Sequence, residues 1–231
     1  MEWRCQLGLI VPSWNTTMEY ECFRMAPAGV SIHTTRIAHT VSGSVEASLH
    51  MIGEAPKSAE LLAHAKVQAI CFGCTGASFV KTGIDQEVIK TMEAATKIPC
   101  TTTTTAIVEA LGHFKAKSAA IASPYSKASN ERMIKFLEYS GIKVVSEKGL
   151  NVERPAFLPP DHAYAVAREV NRPDADVVII SCTNFRSLEI IEQLEKDLGK
   201  PVISSNTASM WKLLKLAGLK DKIPGAGRLL A

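Results

Sequence analysis

Two cysteines stand where thiol chemistry could be done. In ICFGCTGASF, residues 70–79, an apolar run gives way to Gly73-Cys74-Thr75-Gly76; in VVIISCTNF, residues 177–185, a second run ends in Cys182-Thr183-Asn184. Both thiols sit at the exit of a strand-like segment, beside small and polar residues. The thiolate is the reactive form of cysteine. A strand-to-helix turn offers it backbone N–H groups and a positive helix end, which hold anions and lower a thiol pKa. Thr75, Gly76, Thr183 and Asn184 supply hydroxyls and amides that can grip a carboxylate, and Gly76 has room for close backbone approach. A single unpaired cysteine is most often a small buried apolar residue. The same setting used twice favours a paired role for Cys74 and Cys182.

The remaining cysteines are Cys5, Cys22, Cys71 and Cys100. Cys71 and Cys74 have C-x-x-C spacing, but alternation along a strand sends them to opposite faces. No second C-x-x-C and no His-x-x-x-His completes a zinc set, so no metal is expected. The GAGR near the end follows no strand, so no phosphate loop is expected either. A net charge of +3 argues against nucleic acid and against a membrane surface as partners. No segment approaches the roughly 20 apolar residues that span a bilayer. The opening MEWRCQLGLIVPSW lacks a small-residue cleavage site and is not expected to be a signal peptide. The expected location is the cytoplasm, where structural disulfides are rare.

Positioning such thiols requires strands that end together. Strand-like runs at Leu7–Val11, Gly29–Ile37, Ala69–Phe72, Ser118–Ala122, Lys143–Val145, Val177–Ser181 and Pro201–Ser204 alternate with helical patterns. The helical segments are Ser44–Lys66, Ile84–Ala95, Ser129–Ser140, His162–Asn171 and Ser187–Leu198. Such alternation predicts an α/β fold with parallel sheets and helical crossovers. The landmarks also recur in order: a strand ending at Pro12 or Pro124, a cysteine strand, then KIPCTTTTTA or KPVISSNTA. An internal duplication follows, giving two pseudo-symmetric lobes with the site in the cleft between them. The expected division is an N-terminal lobe over 1–106, with 208–231 packing back on it, and a C-terminal lobe over 107–207.

The paired Cys-Thr signatures, the duplicated pattern and the stretch PSWNTTMEYE resemble the aspartate/glutamate racemase superfamily. Within it, P-S-x-N-T-T-M-E is similar to the amino-terminal motif of maleate cis-trans isomerases, with arylmalonate decarboxylases as relatives. The resemblance implies a cofactor-independent isomerase acting on a small dicarboxylate, and a homodimer. It implies that Cys74 adds as a thiolate to an alkene carbon while Cys182 donates and retrieves a proton. Asn15 reads equally as a helix N-cap or as a neutral donor to a carboxylate, and the resemblance favours the donor. It also implies substrate contacts for Tyr125, in the matching turn of the second half, and for Asn151. Glutamate racemases usually carry a histidine where Asn184 follows Thr183, and arylmalonate decarboxylases lack the first cysteine. Both departures favour the isomerase.

Two alternatives use the same residues: a two-thiol racemase exchanging a proton at a stereocentre, and a diacid-binding protein without turnover. The TTTTT run at 101–105 is expected to end a strand and cap the next helix, with Thr102 or Thr103 able to line the cleft. The six histidines show no ligand spacing and are expected to be solvated or locally hydrogen-bonded. The charges of EIIEQLEKDLGK belong to the outer face of an amphipathic helix.

Overall fold

A computed structural model describes residues 3–39 and 44–231. Strands β1 (Cys5–Pro12), β2 (Val30–Ile37), β3 (Ala69–Phe72) and β4 (Cys100–Thr102) form one parallel sheet in the order β2-β1-β3-β4. Strands β5 (Ser118–Ser123), β6 (Lys143–Gly149), β7 (Val177–Ile180) and β8 (Val202–Ser204) form a second in the order β6-β5-β7-β8. The two orders correspond strand for strand, so the repeated landmarks are a repeated topology.

The helices in chain order are α1 (Met18–Met25), α2 (Val45–Gly53), α3 (Ala55–His64), α4 (Thr75–Ser78), α5 (Ile84–Thr96), α6 (Thr103–His113), α7 (Lys127–Tyr139), α8 (Pro160–Val170), α9 (Ile191–Leu198) and α10 (Ser205–Leu216). Strand alternation sorts the core into layers. Leu7, Leu9 and Val11 of β1 point into one cluster that also takes Ala119 and Ile121 of β5, while Ile10 joins Phe72, Leu62 and Val88 on the outer face. Ala120 and Ala122 likewise face outward, onto Val166 and Leu194. Strands buried on both faces read as continuous apolar runs, which is why both central strands of each sheet were visible in the sequence.

The middle cluster joins the lobes. It contains Met18 and Met25 of α1, Ile107 and Leu111 of α6, Met133 and Phe136 of α7, and Met210 and Leu213 of α10. Helix α10 packs along α6 and also touches α1, β3 and β4. Helix α6 runs continuously across position 106. The segment after α10 reaches both sheets' surroundings: Asp221 pairs with Arg4 at 2.8 Å, and the Arg228 backbone N–H donates to Glu195 Oε2 at 2.9 Å.

Two elements differ from expectation. The helix expected over Ser44–Lys66 is two helices broken at Glu54, because Pro56 in the first turn of α3 has no N–H to continue the ladder. The helix expected from Ser187 starts with a 3₁₀ turn, Leu188–Ile190, before α9. Among the described residues no helix is long and apolar enough to cross a membrane.

Candidate active site

Open α/β sheets place ligands beyond the carboxyl ends of their strands. Here the residues just past the ends of β1, β3, β5 and β7 line one cleft of about 530 Å³ measured out to its mouth, and Cys74 and Cys182 both border it. Each sulfur belongs to the second residue after its strand, Cys74 after Phe72 and Gly73, Cys182 after Ile180 and Ser181. Gly73 cannot carry a side chain: a Cβ there would run into Met18 Sδ and stand 3.0 Å from Ile10 O. Cys74 stands at the N-cap position of the four-residue α4, with no side-chain capping bond. Cys182 takes the left-handed region, with φ of 99°. A non-glycine residue held there costs on the order of 1–3 kcal/mol and persists only where its surroundings enforce it.

The enforcing contacts are specific. The Cys182 N–H donates to Ser205 Oγ at 3.0 Å, and Thr75 Oγ1 donates to the same oxygen at 3.1 Å, so one hydroxyl ties the two cysteine turns together. Thr183 Oγ1 donates to the carbonyl of Gly73 at 3.0 Å and accepts from Asn15 Nδ2 at 3.0 Å. Asn15 Oδ1 accepts from the N–H groups of Thr17 and Met18 at 3.0 and 2.9 Å, so its oxygen receives the amides that open α1, while its amide nitrogen reaches across the lobes to Thr183. Asn184 Oδ1 accepts from Thr16 N and Thr17 N at 3.0 and 3.2 Å. The Asn184 Nδ2 group is buried without a hydrogen-bond partner among the described residues. Gly76 faces open space where a Cβ would stand.

Burial dominates the acid–base properties. It pushes the Cys74 thiol up to about 12, against a smaller downward pull from the N–H groups of Ala77 and Gly76, with a charge on Cys182 pushing further up. The sequence argument, in which the turn lowers the thiol pKa, is outweighed because α4 is one turn long and the site is enclosed. Burial also raises Cys182, to about 11, while the Asn184 N–H, 3.4 Å from its sulfur, and the Tyr125 hydroxyl hold its thiolate. Tyr125 is raised well above its ordinary value, first by burial and then by the neighbouring Cys182, so it stays a neutral donor. Its ring meets Phe79 edge-on at 5.7 Å.

Asn151 lines an adjoining cavity that shares Trp14, Tyr125, Ser129 and Cys182 with the first. It too has positive φ, 53°, and its N–H donates to the Tyr125 carbonyl at 3.1 Å. Thr102 and Thr103 do not line the cleft; Thr102 Oγ1 accepts from Thr105 N and caps α6, and Thr103 Oγ1 donates to Phe72 O. Sequence reasoning missed Trp14, His39, Ser129, Arg132 and Ser205. His39 is buried at the cleft, accepts from Trp14 Nε1 at 3.1 Å through Nδ1, and is held neutral by burial. Its position two residues past β2, at a strand's carboxyl end, was the available signal. Arg132, whose guanidinium donates to Ser129 Oγ at 3.0 Å, is the charged side chain among the described residues lining the cleft. Among the described residues no three His, Cys, Asp or Glu side chains gather to hold a metal.

A family model described as arylmalonate decarboxylase matches residues 7–230. The maleate isomerase of Pseudomonas putida is 30% identical over 247 residues, spanning 98% of this chain and 97% of that protein. The solved maleate isomerase of Pseudomonas putida S16, a cysteine-to-alanine variant with maleate, superposes with a TM-score of 0.94 at 25% identity, covering 98% of this chain and 97% of the other. The Nocardia farcinica maleate cis-trans isomerase, a cysteine-to-serine variant with a covalently bound succinylcysteine intermediate, superposes with a TM-score of 0.92 at 27% identity over 98% of both chains. Matched nearly end to end, with both cysteine turns opening on one cleft, the chain belongs to the arylmalonate decarboxylase family.

Proposed function

We propose that the protein interconverts maleate and fumarate without a cofactor, using Cys74 as nucleophile and Cys182 as acid and base. The observation that carries the reading is that Cys74 and Cys182, from the two lobes, line one cleft. It is strengthened by the covalent succinylcysteine of the Nocardia farcinica relative. A decarboxylase needs no sulfur at position 74; an adduct-forming isomerase does.

In the reactive form one sulfur is a thiolate and the other a thiol. The Cys74 thiolate adds to one alkene carbon and Cys182 gives its proton to the neighbouring carbon, leaving a succinyl thioether and a Cys182 thiolate. The new single bond rotates, Cys182 takes a proton back, and the carbon–sulfur bond breaks to release fumarate. Protons and electrons balance, and the enzyme returns to its starting state. Burial raises both thiols, so their acidities do not by themselves order the two roles. The thiolate left on Cys182 after it gives up its proton is held by Asn184 N–H and the Tyr125 hydroxyl.

The substrate carboxylates would be held by neutral donors: Asn15, Tyr125, Asn151, the free Asn184 Nδ2 and the turns at Thr75, Gly76 and Thr183. Neutral donors stabilise charge that grows on a carboxylate without fixing it beforehand. The family likeness supports a homodimer, and six cysteines without a disulfide support a cytoplasmic location.

The test combines proton NMR with intact-protein mass spectrometry. The vinyl signal of maleate should convert to that of fumarate. Cys74→Ala should abolish both turnover and adduct; Cys182→Ala should abolish turnover while a succinyl adduct, protonated slowly by water, maps to Cys74. No conversion by the wild-type protein overturns the reading, and an adduct mapped only to Cys182 reverses the two roles.

A further inference from the structure

Glu21 takes no part in the chemistry above, yet it is fully buried at the joint between the lobes. It lies on α1 of the first lobe, and its hydrogen bonds run to the second. Oε1 accepts from the N–H groups of Ser187 and Leu188 at 2.7 and 3.0 Å. Oε2 accepts from Asn206 Nδ2 at 2.6 Å, with Ser187 Oγ at 3.5 Å. Asn206 Nδ2 has a second partner, the carbonyl of Thr183 at 3.1 Å. That carbonyl belongs to the residue directly after Cys182. A carboxylate satisfied by two backbone amides and a side-chain amide is costly to bury and strongly directional once satisfied.

We infer that Glu21 is a positioning residue for Cys182: through Asn206 and the Thr183 carbonyl it holds the Cys182 turn in its left-handed conformation, with the sulfur facing Cys74. The inference rests on the reading of Cys182 as proton donor. The geometry explains what balances the backbone cost at Cys182. The turn is pinned before the cysteine sulfur by Ser205, at the Thr183 carbonyl by Asn206, and beyond it by the two amides that Glu21 accepts. It also explains why Asn206 spends both amide hydrogens in one direction, leaving its Oδ1 without a partner among the described residues. Burial raises the Glu21 carboxyl, and the amides of Leu188, Ser187 and Asn206 pull it back toward the ionised form.

Glu21→Gln tests this with little change of shape. The new side-chain oxygen can still accept from Ser187 and Leu188, but the new NH₂ faces the Asn206 NH₂, so Asn206 cannot serve both position 21 and the Thr183 carbonyl. The expected result is a fall in kcat of about 10- to 100-fold, the size that a misplaced reacting group produces, with KM for maleate nearly unchanged. With Cys182 misplaced, water slowly supplies the proton to the carbon beside the new Cys74 bond and no thiolate is placed to retrieve it, so the Cys74 succinyl adduct should accumulate during turnover. Without maleate, iodoacetamide should label Cys182 about fivefold more slowly as its sulfur loses donors, with Cys74 labelled as before. The double variant Glu21→Gln/Asn206→Asp restores a partner for the new amide but not the bond to the Thr183 carbonyl, so stability should recover and kcat should not. Wild-type kcat in Glu21→Gln, or recovery of kcat along with stability in the double variant, overturns the inference. If the wild-type protein does not turn over maleate, the isomerase reading fails and the iodoacetamide labelling still decides whether Glu21 positions Cys182.

Discussion

Replacing Asn15 separates two functions that the structure joins in one side chain. Asn15→Ala removes the acceptor of the Thr17 and Met18 amides and the donor to Thr183 Oγ1. Loss of the capping acceptor costs about 1 kcal/mol, and loss of the buried bond across the lobes about 1 kcal/mol more. For a chain of this size each kcal/mol moves the melting temperature by about 2–4 °C, so Tm should fall by about 4–8 °C. Turnover should fall by about 100-fold or more if Asn15 Nδ2 also donates to a carboxylate that gains charge. Asn15→Asp keeps the acceptor and loses the donor. Its Tm should fall less than that of Asn15→Ala, yet its turnover should fall at least as far, since a second anion would face the substrate. The assays are a thermal melt followed by circular dichroism and conversion of the maleate vinyl signal by NMR. Wild-type turnover in Asn15→Asp would refute the donor role. An unchanged Tm in Asn15→Ala would refute the capping and bridging roles.

Burial holds Cys71, Cys74 and Cys100 at about 12 and Cys182 at about 11 in the folded protein, above the ordinary thiol value of 9.0. The folded state therefore keeps protons that the unfolded chain releases: this stabilising contribution is intact below about pH 9 and is lost as the pH climbs toward 11–12. The urea midpoint should be flat between about pH 7 and pH 8.5 and fall above it; a midpoint that rises through that window contradicts the assignment of burial as the cause. Gly149→Ala would drive a Cβ into the Tyr125 carbonyl and to 2.8 Å from Asn130 Nδ2. It should cost about 1–3 kcal/mol by overpacking and lower turnover by displacing Tyr125, and a variant with wild-type Tm and turnover would show that the backbone there yields freely.

Most of the fold was legible because it is written in local periodicity. β3 was read with its observed bounds, Ala69–Phe72, and the other expected strands lie within a few residues of those found. The cysteine turns were legible because the chain states them twice. What remained hidden depends on contacts far apart in sequence. Ser129 carries no local signal that it borders a cleft, and Glu21 looks like any acidic residue in a helix's first turn until its partners at 187, 188 and 206 are seen. The Pro56 break between α2 and α3 was readable but was overridden by an unbroken apolar pattern on both sides. The direction of the thiol shifts was missed for a different reason: a turn's N–H groups are visible in sequence, whereas the enclosure that outweighs them is a property of the folded whole.

The middle cluster, which draws side chains from α1, α6, α7 and α10 and from both sheets, has a consequence for how the molecule comes apart. Two lobes that repeat one topology invite description as two modules, but modules need separate cores. Here the largest apolar layer is common property, and neither half can expose its share without putting Met18, Ile107, Phe136 and Leu213 into water. The shared layer predicts that the chain opens as one unit across the lobe joint, seen as a single calorimetric transition whose calorimetric and van't Hoff enthalpies agree. A single half standing alone would leave that surface bare unless a second copy of itself covered it, so the peptide link between the lobes does the work that self-association would otherwise have to do.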